Sequence, residues 1–373
     1  MTAFGAGLVS GDRAHGGPYY LVSIGGFPNY GDEVITARWL HYLALSAPEA
    51  EVWLDTRYPG NASALFAGIH PRLRTTDAVF RAIDQAREEG DRSPEEIARD
   101  FGSPLYDLQL VALHRARSIH LLGGGFVNAV WPENLAIPRI MRAVAERTGA
   151  KLIATGQGLL PDAGERFEGF DHVSVRDQAS ADLLGIDKGV DDAFLCRASE
   201  IPADAANRET EIVLCIQNDA HDDGIFERLV RYARSCVETW GVPRARVRYV
   251  EAIPGGDYAG YRELQDLVAE DGFVPFTRMW TDGFEMGPHQ VWITTRFHHH
   301  LLAADHGARG IALNGKAGYY DIKHGSITDL GSQWIVTDGT DTSVPSLDEL
   351  QHPLAFNAYH RKKRVEAAQM YPA

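Results

Sequence analysis

Short apolar runs alternate along the chain with segments whose apolar residues recur every three or four positions. Residues 19–24 (YYLVSI) form a β-favouring run, and the apolar residues of 34–44 follow at helical spacing. A β-favouring run followed by a segment with helical spacing occurs again from residue 118 and from residue 211. Further short runs occupy 51–54, 151–155, 247–250 and 310–313. Such alternation is typical of parallel sheets covered by helices, so the pattern predicts an α/β fold.

The length of 373 residues exceeds what one ordinary core accommodates, and the rhythm of strands and helices restarts after a polar, irregular stretch. We therefore predict two Rossmann-like domains, at residues 18–200 and 211–345, joined by a linker at 201–210. Residues 346–373 are expected to contribute a C-terminal helix, beginning near Leu347, that folds back across both domains.

The composition, 45% hydrophobic and 23% charged, is that of a soluble globular protein. A net charge of −15 argues against nucleic acid or anionic membrane as a general partner, because both attract basic surfaces. No apolar run approaches the roughly 18 residues of a membrane span, and residues 1–17 lack a signal core, so we expect a cytoplasmic protein. The charged stretch 77–103 is expected to form a surface excursion or flexible helices.

The three cysteines, Cys196, Cys215 and Cys236, are odd in number and widely spaced. This pattern suggests neither a disulfide framework nor a metal site. We expect them to be small buried hydrophobic residues.

Glycine-rich loops follow three of the predicted strands, at Gly25, Gly124 and Gly156. Glycine lets the backbone turn tightly and approach a bound group, although the spacing is not that of a dinucleotide site. Asp32 and Glu33 follow the first loop, where carboxylates either cap a helix or face a ligand. His120, inside an apolar run, is expected to be a packed core residue.

Cationic side chains stand at the ends of later runs. Arg176 follows a short run, and its guanidinium suits a carboxylate or phosphate; a surface pair with Asp177 is the alternative. Arg296 and His298 follow the apolar run 290–294, at the strand end where anions gather in open α/β sheets. Lys323 lies beyond the next strand, as a further cation or a surface residue.

Three consecutive histidines occupy positions 298–300. Neighbouring side chains cannot all point the same way, so at most two of them face a ligand, and His298 is the one we favour. A metal site is not indicated, because no carboxylate or cysteine lies within four residues and helical metal ligands are spaced four apart.

Six stretches, taken in order, resemble the polysaccharide pyruvyl transferase family. They are 25–33 (GGFPNYGDE), 122–125 (LGGG), 156–158 (GQG), 174–177 (SVRD), 192–195 (DAFL) and 295–298 (TRFH). The resemblance implies a GT-B-like pair of Rossmann domains facing a cleft. It also implies transfer of the enolpyruvyl carbons of phosphoenolpyruvate onto sugar hydroxyls as a ketal, without a further cofactor.

The roles that this chemistry requires fit the residues already singled out. Ketal formation needs a proton for the enol carbon, a base for the hydroxyl, and cations for carboxylate and phosphate. We expect Arg176 and Arg296 to bind the anionic groups across the cleft, with support from Lys323. His298 is assigned to proton transfer or phosphate contact, and Asp32 or Glu33 to the acceptor hydroxyl.

The loop glycines Gly25, Gly124 and Gly156 are expected to line the substrate site. Two other functions stay open on the sequence: a glycosyltransferase with a nucleotide-sugar donor, which the same layout accommodates, and a catalytically silent sugar-binding protein.

Overall fold

A computed structural model describes residues 16–100, 107–196, 204–218, 224–316 and 318–371. Most of the expected N-terminal lead, 1–15, and the first part of the expected linker, 201–203, lie outside these ranges. The chain divides into two compact units. Unit 1 comprises Met1–Phe27, Asp32–Cys196 and Arg361–Ala373, and unit 2 comprises Pro28–Gly31 and Arg197–His360.

Unit 1 contains a six-stranded sheet in which all the paired strands are parallel, in the order β3-β2-β1-β4-β5-β6. Its strands are β1 (Tyr19–Val22), β2 (Val52–Asp55), β3 (Leu73–Thr76), β4 (Ser118–Leu121), β5 (Lys151–Gln157) and β6 (His172–Val175). Its helices are α1 (Tyr30–Ser46), α2 (Pro59–Leu65), α3 (Ala78–Glu89), α4 (Pro94–Arg99), α5 (Asp107–His114), α6 (Ala136–Thr148) and α7 (Gln178–Leu184). The first two residues of α1 belong to unit 2.

Unit 2 repeats this architecture with a second parallel sheet, in the order β12-β11-β10-β7-β8-β9. Its strands are β7 (Glu211–Cys215), β8 (Val247–Val250), β9 (Phe273–Val274), β10 (Gln290–Thr294), β11 (Arg309–Leu313) and β12 (Ile335–Thr337). Its helices are α8 (Ile225–Trp240), α9 (Tyr258–Leu264), α10 (Phe276–Thr281), α11 (Phe297–Asp305) and α12 (Tyr320–Thr328). The last helix, α13 (Asn357–Met370), belongs to unit 1 from Arg361 onward.

Both sheets have the Rossmann strand order, in which the first and fourth strands of the unit are neighbours. In unit 1 these are β1 and β4, and in unit 2 they are β7 and β10. The connections leave this point in opposite directions, so a crevice opens beyond the carboxyl ends of the two strands. The predicted α/β fold with two parallel sheets is confirmed. Gly25, Gly124 and Arg296 follow β1, β4 and β10, whereas Gly156 lies within β5 and Arg176 follows β6.

The stretch 77–103 was expected to form a surface excursion or flexible helices. Its described residues do form helices, but the expectation of a surface excursion is wrong. Val79, Phe80 and Ile83 of α3 are buried in the core of unit 1, as is Ile97 of α4. Burying side chains of this size contributes about 1.5–3 kcal/mol each. The charged residues occupy the outer faces, so the high polarity of the segment reflects amphipathic helices rather than a departure from the core.

The C-terminal helix begins at Asn357, ten residues later than expected from the sequence. Pro353 explains the difference, because proline lacks the N–H of a helical hydrogen bond and disfavours helical geometry in the preceding residue. Residues Leu347–Glu349 form only a short 3-10 turn.

Candidate active site

The glycine loop after β1 is fixed by the first turns of α1. Both carboxylate oxygens of Glu33 accept the backbone N–H of Gly26, at 2.9 and 3.0 Å. A Cβ atom at Gly25 would lie 2.6 Å from the hydroxyl oxygen of Thr36, so a side chain has no room there. Glu33 is fully buried. It therefore holds the loop rather than the N-terminus of its own helix.

The loop after β4 is bonded to the last residues of β5 and to the loop that follows them. The N–H of Gly124 donates to the carbonyl of Gly156 at 3.4 Å, and the N–H of Gly158 donates to the carbonyl of Gly124 at 2.8 Å. A Cβ atom at Gly156 would lie 2.6 Å from Oδ1 of Asp192, and one at Gly123 would lie 2.8 Å from Cγ of the same carboxyl group. Glycine at these positions lets both loops close over Asp192.

Asp192 is a fully buried carboxylate with donors on both oxygens. Oδ2 accepts from Trp39 Nε1 at 2.7 Å, Thr155 Oγ1 at 2.6 Å and the N–H of Gly123 at 2.8 Å. Oδ1 accepts from Lys363 Nζ at 2.8 Å, and this lysine is itself fully buried. The hydrogen bonds of this one carboxylate thus connect α1, the loop after β4, β5 and α13.

A second carboxylate completes the environment of the buried lysine. Glu366 Oε2 lies 2.6 Å from Lys363 Nζ, and Glu366 Oε1 accepts from His172 Nε2 at 2.8 Å. Burial alone would lower the pKa of Lys363, but Asp192 and Glu366 outweigh it and raise the pKa. Burial likewise opposes ionisation of Glu366, yet Lys363 lowers the pKa of its carboxyl group to about 2.

Asp32 is buried in the first turn of α1, beside the glycine loop after β4. A Cβ atom at Gly124 would lie 3.9 Å from its Oδ1. The backbone carbonyl of Asp32 accepts from Thr36 Oγ1 at 2.8 Å. The carboxylate therefore lies at the carboxyl edge of the sheet of unit 1, near the switch point.

Arg176 follows β6 and is buried, with 4% of its side chain exposed. Its Nη1 donates to Asp191 Oδ2 at 2.8 Å. Asp177 instead caps α7, where its side chain accepts the N–H of Ser180 at 2.8 Å. The alternative of a surface pair between Arg176 and Asp177 is wrong, because the strand end directs these adjacent side chains to different partners.

In unit 2, Arg296 follows β10 and is held by a carboxylate from the loop after β8. Its Nε and Nη2 donate to Asp257 Oδ1 at 3.0 and 2.6 Å. Asp257 Oδ2 accepts the N–H groups of Ala252 and Ile253, at 2.8 and 2.9 Å. Asp257 is fully buried, whereas 12% of the Arg296 side chain is exposed. The loop carboxylate therefore fixes the orientation of the guanidinium.

His298 lies in the first turn of α11, packed against the segment Pro28–Gly31. A Cβ atom at Gly31 would lie 1.9 Å from His298 Nδ1 and 2.3 Å from Cγ. The N–H of Tyr30 donates to the carbonyl of Ala252 at 3.0 Å. Only glycine at position 31 leaves room for the imidazole as it stands.

His299 and His300 are fully buried, whereas His298, on the same helix, is partly exposed. His299 packs between Tyr30 and Trp292, at ring-centroid distances of 5.6 and 5.5 Å. Neither of its ring nitrogens has a hydrogen-bond partner within the described ranges. Burial lowers the pKa of His299 to about 3, so the ring is neutral.

His300 and His324 form a buried pair in which the proton positions can be assigned. The Nε2 of His324 lies 3.3 Å from the carbonyl of Thr295, which can only accept, so Nε2 carries the hydrogen. Burial lowers the pKa of both histidines, that of His324 to about 4, and both are neutral. His300 Nδ1 therefore donates to His324 Nδ1 at 3.1 Å, and its Nε2 accepts from Ser332 Oγ at 2.9 Å. The pair ties α11 to α12.

Lys323 projects from α12 over the ring of Tyr319, with Nζ 3.8 Å from the ring centroid. Asp321 of the same helix lines a cavity of about 580 Å³ at the carboxyl ends of β11 and β12. Arg228 and Lys316 also line it, together with Asp338. The cavity carries charges of both signs.

Comparison with known families identifies the chain. A model of the family "Polysaccharide pyruvyl transferase" matches residues 29–232, which is more than half of the chain. The chain belongs to the polysaccharide pyruvyl transferase family. Membership makes it a transferase and confirms the resemblance seen in the sequence motifs. No curated protein matches the chain.

Solved structures similar to this family member support the fold alone. A Listeria monocytogenes protein assigned as a UDP-N-acetylglucosamine 2-epimerase is 11% identical, with a TM-score of 0.55 over 95% of this chain and 96% of that one. The Methanocaldococcus jannaschii UDP-GlcNAc 2-epimerase in complex with UDP-GlcNAc and UDP is 9% identical, with a TM-score of 0.52 over 95% and 99%. The pyruvyl transferase family member thus has a GT-B-like fold of two parallel-sheet α/β domains.

The predicted site residues of this transferase fall into two groups. Arg296, His298 and Lys323 lie in unit 2. The others, Gly25, Asp32, Gly124, Gly156 and Arg176, lie in unit 1. In the part of the chain that the structure describes, no cluster of three or more histidine, cysteine or acidic residues could hold a metal ion, and no helix is long and apolar enough to cross a membrane.

Several residues that shape the site escaped the sequence-based reasoning. Asp257 was recognisable only as part of a Pro-Gly-Gly turn, and nothing local marks it as the partner of Arg296. Lys363 lies in a basic stretch that is typical of a solvated helix face. His120 was correctly expected in the core, where it is bonded to Thr155 and Tyr371. Cys215 and Cys236 are buried as expected, and Cys196 is partly buried.

Proposed function

We propose that this polysaccharide pyruvyl transferase uses phosphoenolpyruvate as its donor and joins the pyruvyl carbons to two hydroxyls of a sugar. The observation that carries the proposal is the placement of Arg296 and His298 at the carboxyl end of β10, beside the switch point of unit 2. A guanidinium binds carboxylate or phosphate with paired donors, and an imidazole can exchange protons near neutral pH. Family membership supports the sugar acceptor.

The atoms of the proposed reaction balance with the donor and the acceptor alone, without a further reactant. The enol carbon C3 takes a proton, a sugar hydroxyl adds to C2, and the C2–O bond to phosphate breaks. A second hydroxyl then closes the ketal. Of the two hydroxyl protons, one replaces the proton delivered to C3 and the other leaves with phosphate. The donor carries a carboxylate and a phosphate, which are the groups that cationic side chains stabilise as phosphate departs.

Arg296 is assigned to binding the carboxylate or phosphate of the donor, since its hydrogen bonds to Asp257 orient the guanidinium. His298 is assigned to proton transfer at C3 or at the departing phosphate, and its packing against Gly31 restricts the ring. Asp32, buried beside the glycine loop after β4, is assigned to the acceptor hydroxyl. Arg176 and Lys323 stay predicted anion-binding residues.

The test is phosphate release from phosphoenolpyruvate in the presence of a panel of sugars and lipid-linked sugars. Arg296→Met is expected to reduce the rate about 100-fold or more, the usual cost of removing a donor aimed at developing charge. This change leaves the carboxylate of Asp257 buried without its cation. The double variant Arg296→Met/Asp257→Asn removes that buried charge and is expected to restore stability without restoring activity. His298→Gln is expected to cost about 10²–10⁴-fold. Arg278→Met and His352→Gln, on exposed positions of the same unit, are the matched controls.

Full activity of the Arg296→Met or His298→Gln variant would refute the assigned roles. Thermal unfolding separates the two other functions. Stabilisation by phosphoenolpyruvate but not by UDP or GDP favours pyruvyl transfer, and the reverse favours a nucleotide-sugar donor. Glycan binding without phosphate release from any mixture, unchanged in the Arg296 variant, would indicate a sugar-binding protein.

A further inference from the structure

Among the described residues of unit 1, the exposed aromatic side chains lie at one edge of its sheet. They are Phe27, Tyr58 and Trp131, which are 55%, 41% and 46% exposed. They lie in the loops after β1, β2 and β4, respectively. The exposed aliphatic residues Leu45, Ile186 and Val365 lie within a helix or shortly after one rather than in these loops.

The strand order places the three loops side by side, since β2, β1 and β4 are consecutive in the sheet. Two of the loops are in contact: a Cβ atom at Gly26, where φ is +100°, would lie 3.0 Å from the carbonyl of Tyr58 and 3.1 Å from Ala62 Cβ. The hydroxyl of Thr56 also donates to the carbonyl of Gly25. The backbone of one loop thus fixes the position of the other.

The rings of Phe27 and Tyr58 are stacked, with centroids 5.3 Å apart and planes at 30°. The pair is therefore ordered while both rings remain exposed to solvent. Aromatic rings kept in water sacrifice the free energy of burial, and clusters of them on a surface mark binding sites. Their position next to the loop of Gly25 and Glu33 makes them continuous with the candidate active site.

We propose that Phe27, Tyr58 and Trp131 form an aromatic platform that binds the sugar rings of the acceptor chain. An aromatic face carries negative charge density, and the C–H groups on one face of a sugar ring are weakly positive, so the two stack while the hydroxyls stay in water. A neutral, hydroxylated ligand also suits a chain with a net charge of −15. The proposal rests on the proposed function, because it names the binding surface for that acceptor.

The platform is wider than a single sugar ring. Adjacent strands are about 4.8 Å apart, so the loops after β2 and β4 begin roughly 10 Å from each other. A platform of this width favours an oligosaccharide or polysaccharide over a free monosaccharide. The acceptor is therefore inferred to be a sugar chain that is already assembled when the ketal is added.

The experiment measures binding of the fluorescently labelled full chain to an array of oligosaccharides, with no donor present. Phe27→Ala, Tyr58→Ala and Trp131→Ala are each expected to weaken binding about 2- to 10-fold, and the triple variant more strongly. Tyr58→Phe keeps the ring and should bind as the unaltered protein does. Leu45→Ala removes an exposed apolar side chain elsewhere and is the control.

Absence of glycan binding by the unaltered protein, or equal binding by the triple variant, would overturn the platform. Selective loss of UDP binding in the triple variant would overturn it as well, since the rings would then stack on a base. The readout is independent of phosphoenolpyruvate. Failure of pyruvyl transfer therefore leaves the array result intact, while failure of the platform leaves the stabilisation by phosphoenolpyruvate unchanged.

Discussion

Replacing Gly31 with alanine places a methyl group where the ring of His298 now lies. The new Cβ atom would be 1.9 Å from Nδ1, whereas unstrained carbon contacts are about 3.5–4.0 Å. The imidazole or the first turn of α1 must therefore move by roughly 1.5 Å or more to reach an ordinary contact. Because Gly31 is the second residue of α1 and has no left-handed backbone, alanine would otherwise stabilise the helix by about 0.5–1 kcal/mol.

The two effects have opposite signs, and the collision is expected to prevail. Overpacking costs about 1–3 kcal/mol, so Gly31→Ala is expected to lose about 0–2.5 kcal/mol after the helical gain is subtracted, with a midpoint near 1 kcal/mol. For a unit of this size a loss of about 1 kcal/mol corresponds to a decrease in Tm of roughly 2–4 °C. A catalytic group displaced by about 1 Å loses on the order of 100-fold in rate. The rate of phosphate release should therefore fall by much more than the small loss of stability would cause by itself.

The measurements are Tm by circular dichroism and phosphate release from phosphoenolpyruvate. Gly60→Ala is the matched control, because Gly60 is likewise the second residue of a helix, α2, but its Cβ would meet nothing within 4 Å. If Gly31→Ala had the Tm and activity of the Gly60→Ala variant, the packing of His298 against Gly31 would be refuted as a determinant of the site.

Three further substitutions test buried charges and histidines. Lys363→Met leaves Asp192 buried without its cation and is expected to destabilise unit 1 by about 3–5 kcal/mol, measured by urea denaturation. Asp55→Asn is expected to stabilise the chain at pH 8 by about 1 kcal/mol or more and to have less effect at pH 5. Burial raises the pKa of the Asp55 carboxyl group to about 7. Its ionisation in the folded chain therefore costs stability as pH rises from about 4 to above 7. His299→Phe is expected to stabilise the chain more at pH 5 than at pH 7.5. The pKa of His299 is about 3 in the folded chain, whereas a histidine of the unfolded chain takes up a proton below the ordinary value of 6.5. Protonation of the unfolded chain therefore lowers the stability of the unaltered protein by about 2 kcal/mol at pH 5. His352→Phe, at an exposed position, is the control.

Each of these results has an outcome that contradicts it. Unchanged stability of the Lys363→Met variant would mean that Asp192 is neutral or hydrated in the folded chain. An equal effect of Asp55→Asn at both pH values would show that the carboxyl group does not titrate near neutrality. Destabilisation by His299→Phe at both pH values would show that the ring nitrogens of His299 have partners.

Most of the fold could be predicted because β-favouring runs and helical spacing are local signals. The loops of Gly25 and Gly124 follow β1 and β4 as predicted, whereas Gly156 lies within β5 rather than after it. Strands β3 and β12 were not predicted, since LRTT and IVT are too short and too ordinary to stand out. Edge strands of this length depend on pairing with a neighbour rather than on their own composition.

The candidate site was predictable where a single strand end carries the chemistry, as at Arg296 and His298. It was not predictable where the chemistry depends on residues distant in the chain. Asp257 is 39 positions from Arg296, and Lys363 is 171 from Asp192. A single sequence contains no signal for such pairs, because charged residues are most often solvated and only the folded topology brings these together.

The burial of Lys363 against Asp192 also bears on the order in which the molecule can form during synthesis. Residues 18–196 contain the whole first sheet, yet they enclose a carboxylate whose cation is synthesised 171 positions later, after every strand of unit 2. Until α13 has been synthesised, the buried carboxylate of Asp192 lacks this cation. Unit 1 is thus expected to reach its full stability only after α13 has been added to the nascent chain.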